Sequence, residues 1–457
     1  MKRLFPFFLL LALLITSGAG CGGSSVAEEA ANTPVKLTIW RVFDDDDTFR
    51  GLMDDYRAIH PNISFEYREL RFDEYEEELI RALAEGNGPD IFSIPNTWIG
   101  KYESLILPMP DTLTIPYTEV KGSIKKEEIT TLVESATMSK RELETTFVDV
   151  VVDDVLRTYQ PTLKDEPEEK IFALPLFVDT LALFYNKDLL DAAGIAQPAV
   201  DWETFQNDVA KMTLLGAGDE ILQSGAALGT SANVDRSFDI LSLLMMQNGT
   251  DMVNDRGDAA FAGQGEEVNY GLDALYFYAD FANPTKQVYC WNKDLPSSFD
   301  AFVSGQVAYF FGYSYHIPLV EAANSKLDFG VTTMPQIAGG RAVNYAHYWV
   351  ETVSKDTRNA NWAWDFILFA TDADGVESYL EASGRPTALR ALMGNQLEDE
   401  WLSPFVSQLL TSESWYKGDD VEVAEEAFAD LIEAAVEGNE DVTRLIRDAQ
   451  NQVNETL

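Results

Sequence analysis

The chain has 457 residues, of which 46% are hydrophobic and 12% aromatic, so it can form sizeable cores and is not a disordered chain. Its 33 basic residues against 76 acidic residues give a formal net charge of −43. This balance argues against nucleic acid and anionic membrane surfaces as partners, because affinity for both depends on lysine and arginine.

The first residues of the chain have the layout of an export signal. Two basic residues precede an apolar stretch, residues 4–15, which is too short to span a bilayer comfortably, and small residues follow up to Cys21. A cysteine after Gly-Ala-Gly resembles the lipobox of bacterial lipoproteins, although Gly18 stands where that pattern usually has leucine. The pattern predicts a signal peptide over residues 1–20, lipidation of Cys21 and a flexible tether over residues 21–34. An ordinary signal peptide with an incidental cysteine is the alternative.

The next part of the chain alternates between two hydrophobic periods. Apolar residues recur at period two in some segments and at helical spacing in others, and Pro61 and Gly86 follow the helical segments. The predicted order is strand, helix, strand, helix, strand, over residues 35–43, 48–60, 63–70, 74–85 and 88–94. That order predicts a parallel sheet flanked by helices.

Residues 111–165 interrupt this order, and a charged stretch within them, residues 125–134, predicts a helix. The α/β pattern resumes at residues 172–185, where an apolar run typical of a buried strand is interrupted by Asp179. Burying a carboxylate without partners is costly, so we expect Asp179 to have a role. Further helices are predicted over residues 238–246 and 363–370 and from residue 421 to the C-terminus.

Motifs on both sides of residues 111–165 share the order and spacing of one known family. They read KLTIW, HPNISFEY, LIRALAEGNGPDIFSI, LPLFVDTLALFYNKDLLDAAGI with DWETF, SSFDAFVSGQVAYFFGYSY, FGVTTMP and AVNYAHYWVETVSK. Together they resemble the carbohydrate-type extracellular solute-binding proteins (family 1), the receptors of sugar ABC importers, which include the maltodextrin-binding proteins. The resemblance covers about residues 35–110 and 170–390, and it makes residues 111–165 look like an insertion.

The resemblance implies an α/β fold of the type II periplasmic-binding-protein kind, with two lobes and a ligand cleft between them. Each lobe would be a mainly parallel sheet flanked by helices. The crossing-like motifs LPLFVDT, FGVTTMP and SGRPT place residues 35–178 and 331–385 in lobe 1 and residues 179–330 and 386–457 in lobe 2. The implied protein is a monomeric receptor, lipid-anchored on the outer face of the cytoplasmic membrane, that captures a sugar or oligosaccharide by hinge closure. It would deliver this ligand to an ABC transporter permease, without a cofactor and without being an enzyme.

The resemblance also places ligand contacts where strands end at the cleft. A sugar offers hydroxyls at its rim and apolar faces, so carboxylates, amides and aromatic rings are the expected contacts. Asp179, beside Thr180, is expected to accept hydrogen bonds from ligand hydroxyls, unless it caps a turn or pairs with an arginine. The other candidates, any of which could instead pack in the core, are Trp40, Phe43, Asn96, Thr97, Trp98, Tyr313, Tyr315, Tyr348, Trp349 and Arg385.

Other functions stay open at this point. Ferric iron held by Tyr313 and Tyr315 near His316, or a peptide, would make the chain a receptor for a different solute. A glycoside hydrolase would need two carboxylates facing each other across a cleft, and no strand-end pair stands out. A hydrolytic triad is not supported, because the only other histidines are His60 and His347 and no Gly-x-Ser-x-Gly motif occurs. No zinc-ligand spacing occurs either.

Overall fold

The computed structural model describes residues 26–121, 127–162, 164–263, 269–438 and 441–457, so the predicted signal peptide and Cys21 lie outside the described residues. The strands are β1 Val35–Val42, β2 Ile63–Leu70, β3 Ile91–Pro95, β4 Thr112–Lys121, β5 Glu127–Ala136, β6 Leu156–Tyr159, β7 Glu168–Ile171, β8 Ala182–Asn186, β9 Leu214–Leu215, β10 Ile221–Ala226, β11 Val307–Gly312, β12 Phe329–Thr332, β13 Asn344–Tyr345, β14 Trp349–Val353 and β15 Ser412–Glu413. The helices are α1 Val26–Asn32, α2 Asp46–Ile59, α3 Phe72–Ala84, α4 Ile99–Tyr102, α5 Lys140–Thr146, α6 Asp149–Val155, α7 Lys187–Ala192, α8 Trp202–Met212, α9 Ser237–Gln247, α10 Tyr270–Asp280, α11 Ser298–Val303, α12 His316–Ala323, α13 Ala360–Ala370, α14 Ala373–Ser383, α15 Met393–Gln396, α16 Ser403–Gln408, α17 Val421–Glu437 and α18 Val442–Asn454.

The first main sheet has four strands in the order β14-β3-β1-β2. β1 pairs in parallel with β2 and β3, as the alternation of strands and helices predicts, whereas β14 returns from far along the chain and runs antiparallel to β3. Helix α2 begins after Asp45, whose side chain accepts a hydrogen bond from the Thr48 backbone N–H. Its apolar face buries Phe49 and Tyr56 against the sheet's core. The predicted strands and helices of this region are confirmed to within a few residues.

The second main sheet has five strands in the order β12-β8-β11-β10-β9. Only β10 and β11 pair in parallel, and β8 runs antiparallel to both β11 and β12, so this sheet is mixed rather than mainly parallel. Because of that antiparallel pairing, Gly312 at the end of β11 lies opposite Ala182 at the start of β8. The residues that follow β11 are therefore brought close to those that precede β8.

Three stretches, which we call the crossing segments, lie side by side between the two main sheets: residues 172–181, 345–349 and 385–389. Isolated bridges join Thr180 to Ala346 and Phe177 to Thr387, and a third joins the first segment to β14. The first segment makes only such bridges, so the predicted strand begins later than expected, at Ala182. The proposed lobe boundaries stay a prediction, and β12, which includes residues 331 and 332, pairs within the second sheet.

Residues 111–165 contain two structurally different parts. The predicted helix over residues 125–134 is wrong, because residues 127–136 form β5, which pairs along its whole length with β4 in a hairpin. Four β-branched residues among the five from Ile129 to Val133, Leu132 being the exception, favour this strand. In contrast, α6 buries Val150, Val151 and Val155 in the main core. The insertion is therefore partly a surface hairpin and partly core.

The remaining helical predictions hold, with two differences. The predicted helices at residues 238–246 and 363–370 are confirmed as α9 and α13, and the C-terminal prediction corresponds to α17 and α18. The predicted tether differs, since residues 26–32 form α1 with Ala27 buried, and alanine and glutamate both favour helices. In the part of the chain that the structure describes, no helix is both long enough and apolar enough to cross a membrane.

Candidate ligand-binding site

Asp179 lies in the first crossing segment and is only 2% exposed. Its carboxylate accepts hydrogen bonds from the Ser314 backbone N–H at 2.9 Å, the Ser314 hydroxyl at 2.6 Å and the Thr180 backbone N–H at 3.0 Å. Burial raises the pKa of Asp179 to about 6, against the opposing effects of the Ser314 hydrogen bonds and the charge of Arg385. Within the described residues, Asp179 thus holds the loop after β11 against the crossing segment.

Thr180 is also buried between segments. Its hydroxyl donates a hydrogen bond to the Phe405 carbonyl at 3.0 Å and lies 3.0 Å from the Gln408 side-chain nitrogen, which donates to it. Because both contacts come from α16, Thr180 ties the first crossing segment to a later part of the chain.

A row of five side chains runs past the crossing segments, and we call it the arginine–tyrosine row. The rings of Tyr313 and Tyr315 are nearly parallel, with centroids 6.1 Å apart. The Arg236 guanidinium carbon lies 5.8 Å from the Tyr313 ring centroid, and that of Arg385 lies 5.9 Å from the Tyr315 ring centroid. Arg385 is also 5.0 Å from the ring of Phe177. A cation over the face of an aromatic ring is attracted by the ring quadrupole. These contacts therefore fix the orientations of the side chains in the row relative to one another.

Asp239, in α9, fixes one end of this row. The carboxylate is 1% exposed and accepts hydrogen bonds of 2.6 Å from both Arg236 Nε and the Tyr313 hydroxyl. The Arg236 side chain itself remains 25% exposed. His347 lies beside Tyr313, with ring centroids 5.9 Å apart, and burial lowers the pKa of His347 to about 3. The Asp239 carboxylate is therefore buried behind the row, whereas part of the Arg236 side chain is exposed to solvent.

A pocket of about 300 Å³ adjoins Arg236. It is lined by Arg236, Ser237, Phe238, Glu425, Glu426 and Ala429, from the start of α9 and from α17. Burial raises the pKa of Glu425 to about 7, against the effect of Arg236. Neither Arg236 nor Glu425 was predicted from the sequence, because α9 and α17 lie far apart in the chain and neither helix carries a motif.

A second aromatic cluster lies on the first sheet. Phe43, directly after β1, is 59% exposed, stacks on Phe72 with centroids 6.0 Å apart and meets the edge of Trp349 at 5.7 Å. Its φ of 72° is in the left-handed region, which is costly for a residue with a large side chain. Phe72 is a further exposed ring that the sequence analysis did not select. Trp40, on β1, is instead half-buried under Arg68, 4.6 Å from its ring.

The remaining candidates are tied to α6 or packed in the core. Asn96 donates a hydrogen bond to Asp154 at 3.0 Å, and the Tyr348 hydroxyl donates to the same carboxylate at 2.7 Å. Thr97 is buried, and Trp98 is buried in a stack on Tyr102. The structure therefore brings together Asp179, Tyr313, Tyr315 and Arg385, and separately Phe43 and Trp349, but not the residues at 96–98.

The described residues contain no group of three or more histidine, cysteine, aspartate or glutamate side chains arranged to hold a metal ion. Burial raises the pKa of Tyr315 to about 12 and that of Tyr313 well above its ordinary value. Both phenols are therefore protonated at neutral pH.

Comparisons with known proteins place this geometry in context. A family model described as "Bacterial extracellular solute-binding protein" matches residues 51–398. The galactooligosaccharide-binding protein of Bacillus subtilis is 18% identical over 402 residues, which cover 86% of this chain and 82% of that protein. A cyclo/maltodextrin-binding protein in complex with maltotetraose has a TM-score of 0.69 at 17% identity, covering 93% of this chain and 97% of the other. The maltose-binding protein of Listeria monocytogenes, in complex with maltose, has a TM-score of 0.67 at 17% identity, covering 92% and 97%. These structural likenesses confirm the expected fold class.

Proposed function

Because the chain belongs to the bacterial extracellular solute-binding protein family, we propose that it captures a sugar or oligosaccharide and delivers it to the permease of an ABC transporter. The family and the matched relatives are binding proteins, so the chain is a binding protein and not an enzyme. The observation that carries the sugar proposal is the set of aromatic rings beside the crossing segments. Rings of this kind cover the apolar faces of a sugar while neighbouring polar groups bind its hydroxyls.

We propose that Phe43 and Trp349 contact the ligand from the first sheet, and that Tyr315 and Arg385 contact it from the arginine–tyrosine row. Asp179 and Thr180 act by positioning these groups, since their own polar atoms bind Ser314 and Gln408. The lobes close on the ligand by bending at the crossing segments, and the ligand stabilises the closed state because it touches both lobes only there. In this proposal Cys21 carries the lipid that holds the receptor at the membrane.

A thermal-shift screen tests the proposal. The probes are maltose, maltotetraose, mannotriose and a galactooligosaccharide, with ferric citrate and a tripeptide as the competing classes. A ligand that binds only the folded protein raises the unfolding midpoint with its concentration. We expect at least one sugar to do so, and a midpoint raised by iron or peptide alone would contradict the proposal.

A matched pair of variants locates the site in the same screen. Phe43→Ala should weaken the sugar-induced shift, whereas Tyr117→Ala, which removes another exposed aromatic ring from the β4–β5 hairpin, should leave it unchanged. Equal effects of the two variants would place the ligand elsewhere.

A further inference from the structure

The guanidinium of Arg385 lacks an acidic partner. Four other arginines in the described residues have side chains that are 30% exposed or less, and each pairs with a carboxylate: Arg41, Arg157, Arg236 and Arg390. Arg385 is half-buried, yet within the described part of the chain no acceptor lies within hydrogen-bond or ion-pair distance of its guanidinium. The chain has 76 acidic residues against 33 basic ones, so a shortage of acidic side chains does not explain why Arg385 has no acidic partner.

Asp179 does not supply the missing partner. Its charge acts on Arg385 at longer range, but its oxygens accept hydrogen bonds from Ser314 and Thr180 instead. The rings of Phe177 and Tyr315 lie near the guanidinium at 5.0 and 5.9 Å. Aromatic contacts of this kind orient the planar group and leave its N–H donors available at the edge.

We propose that the solute is an acidic carbohydrate, and that Arg385 binds its carboxylate. This inference rests on the proposed function, since it specifies the class of sugar that the same site takes. A planar guanidinium with free edge donors matches a carboxylate in geometry and charge, and such a pair is roughly twice as strong as a neutral hydrogen bond. A uronic acid unit combines that carboxylate with hydroxyls and an apolar ring face, which the half-buried ring of Tyr315 can cover, whereas Tyr313 is 0% exposed and lies behind it.

The rest of the molecule makes this site specific rather than generally attractive to anions. A net charge of −43 repels anions at long range, so an acidic sugar gains affinity only from a local, oriented contact. Asp239 and Asp179, two acids beside the row, are 1% and 2% exposed, and their oxygens already accept hydrogen bonds from protein donors, so they leave the guanidinium edge of Arg385 open to a ligand.

The test compares matched sugars by calorimetry on the folded, signal-free chain. The probes are cellobiose with cellobiouronic acid, and galactotriose with trigalacturonic acid. We expect the acidic member of at least one pair to bind about tenfold or more tightly than its neutral counterpart, the scale of one charge-assisted bond. Arg385→Gln should remove the difference in affinity between the acidic and the neutral sugar. Arg385→Lys keeps the positive charge but loses the planar pair of N–H donors, so it should retain only part of that difference.

Arg358→Gln is the control, because Arg358 is exposed and lies outside the row. It should leave both affinities unchanged, and unfolding midpoints for every variant establish that the fold is intact. If neutral sugars bind as tightly as acidic ones, or if Arg385→Gln binds the acidic sugar as well as the unaltered chain, the acidic-sugar inference is overturned and the receptor proposal stands. If no sugar binds but another solute does, both fail.

Discussion

At the scale of single residues, Phe43 and Arg236 combine an unfavourable backbone with a place in the two aromatic clusters. Their φ angles are 72° and 59°, in the region that glycine occupies easily and other residues rarely do. Strain of this kind costs on the order of 1 kcal/mol or more and persists where the surrounding structure enforces it. We therefore expect Phe43, which the receptor proposal places against the ligand, to have a role beyond packing.

Phe43→Gly separates the backbone cost from the role of the ring. Glycine relieves the positive φ, whereas the lost ring contacts cost about 0.5 to 1.5 kcal/mol, so the free energy of unfolding should change by no more than about 1 kcal/mol. Sugar affinity should fall by about tenfold as a stacking surface is lost. Asp219→Gly is the matched control, because Asp219 has a φ of 63° in an exposed turn, and it should leave affinity unchanged. Unaltered affinity in Phe43→Gly would remove this ring from the site.

Asp179 predicts a pH dependence of stability. Burial raises its pKa in the folded protein to about 6 from the ordinary value of 3.8, so the folded state holds this proton more tightly than the unfolded state does. The stabilisation from Asp179 is therefore present at low pH and is lost as the pH rises toward 6, by at most about 3 kcal/mol. Asp179→Asn should flatten this part of the curve of unfolding free energy against pH, measured with urea, and exposed Asp255→Asn should not. An unchanged slope in Asp179→Asn would show that this carboxyl does not titrate there.

Tyr313, Tyr315 and Asp179 could be chosen as site candidates from the sequence, because each is a polar or aromatic residue next to an apolar strand. It could not select Arg236, whose place depends on Asp239 meeting the Tyr313 hydroxyl across 74 residues of sequence. Asn96, in contrast, was predicted from its place in the sequence, but its side chain is bound within the protein. It follows β3 as a cleft residue would, but Asp154 from α6 accepts its hydrogen bond.

At the scale of elements, the β4–β5 hairpin shows why local spacing can mislead. Ile129, Leu132 and Val133 fit a helical period, and the neighbouring charges fit a helix surface. The same residues also suit a strand, and pairing with β4 along ten residues decides between them. The strand–helix alternation of residues 35–94 was predictable, because each element there has a clear period and a stop signal.

Two substitutions in the insertion should have very different effects. Val151, in α6, is 0% exposed, so Val151→Asp buries an unpaired charge and should cost more than about 3 kcal/mol or abolish folding. Tyr117, in the hairpin, is 50% exposed, so Tyr117→Asp should change the unfolding free energy by about 0.5 kcal/mol or less. Urea unfolding measures both. Comparable losses would mean that the hairpin also belongs to the core.

At the scale of the whole molecule, the receptor proposal places the hinge in the crossing segments. The receptor proposal predicts that a bound sugar reduces the radius of gyration in small-angle scattering, because closure brings the lobes together. Tyr117→Ala should retain this change, since Tyr117 lies in the β4–β5 hairpin, outside the proposed site. An identical radius with and without saturating sugar would contradict closure.

Anchoring is a separate prediction for the whole molecule. Cys21→Ser removes the proposed site of lipid attachment. Because the acyl chains carried by Cys21 are the proposed anchor, the variant should appear in the medium rather than with the membrane fraction. Immunoblots of both fractions measure it. A variant that stays with the membrane after its signal has been removed would refute the lipoprotein proposal.

The return of β14 to the edge of β3 also constrains how the chain acquires its structure during synthesis. The ion pair between Arg41 and Glu351 joins residues 310 positions apart, and both lie in the first sheet. That sheet cannot be completed until residue 353 has left the ribosome, although its first strand ends at Val42. Contacts of such long sequence separation slow folding. The first sheet therefore stays incomplete for most of the chain's synthesis, which lengthens the time in which the chain can still be threaded through an export channel.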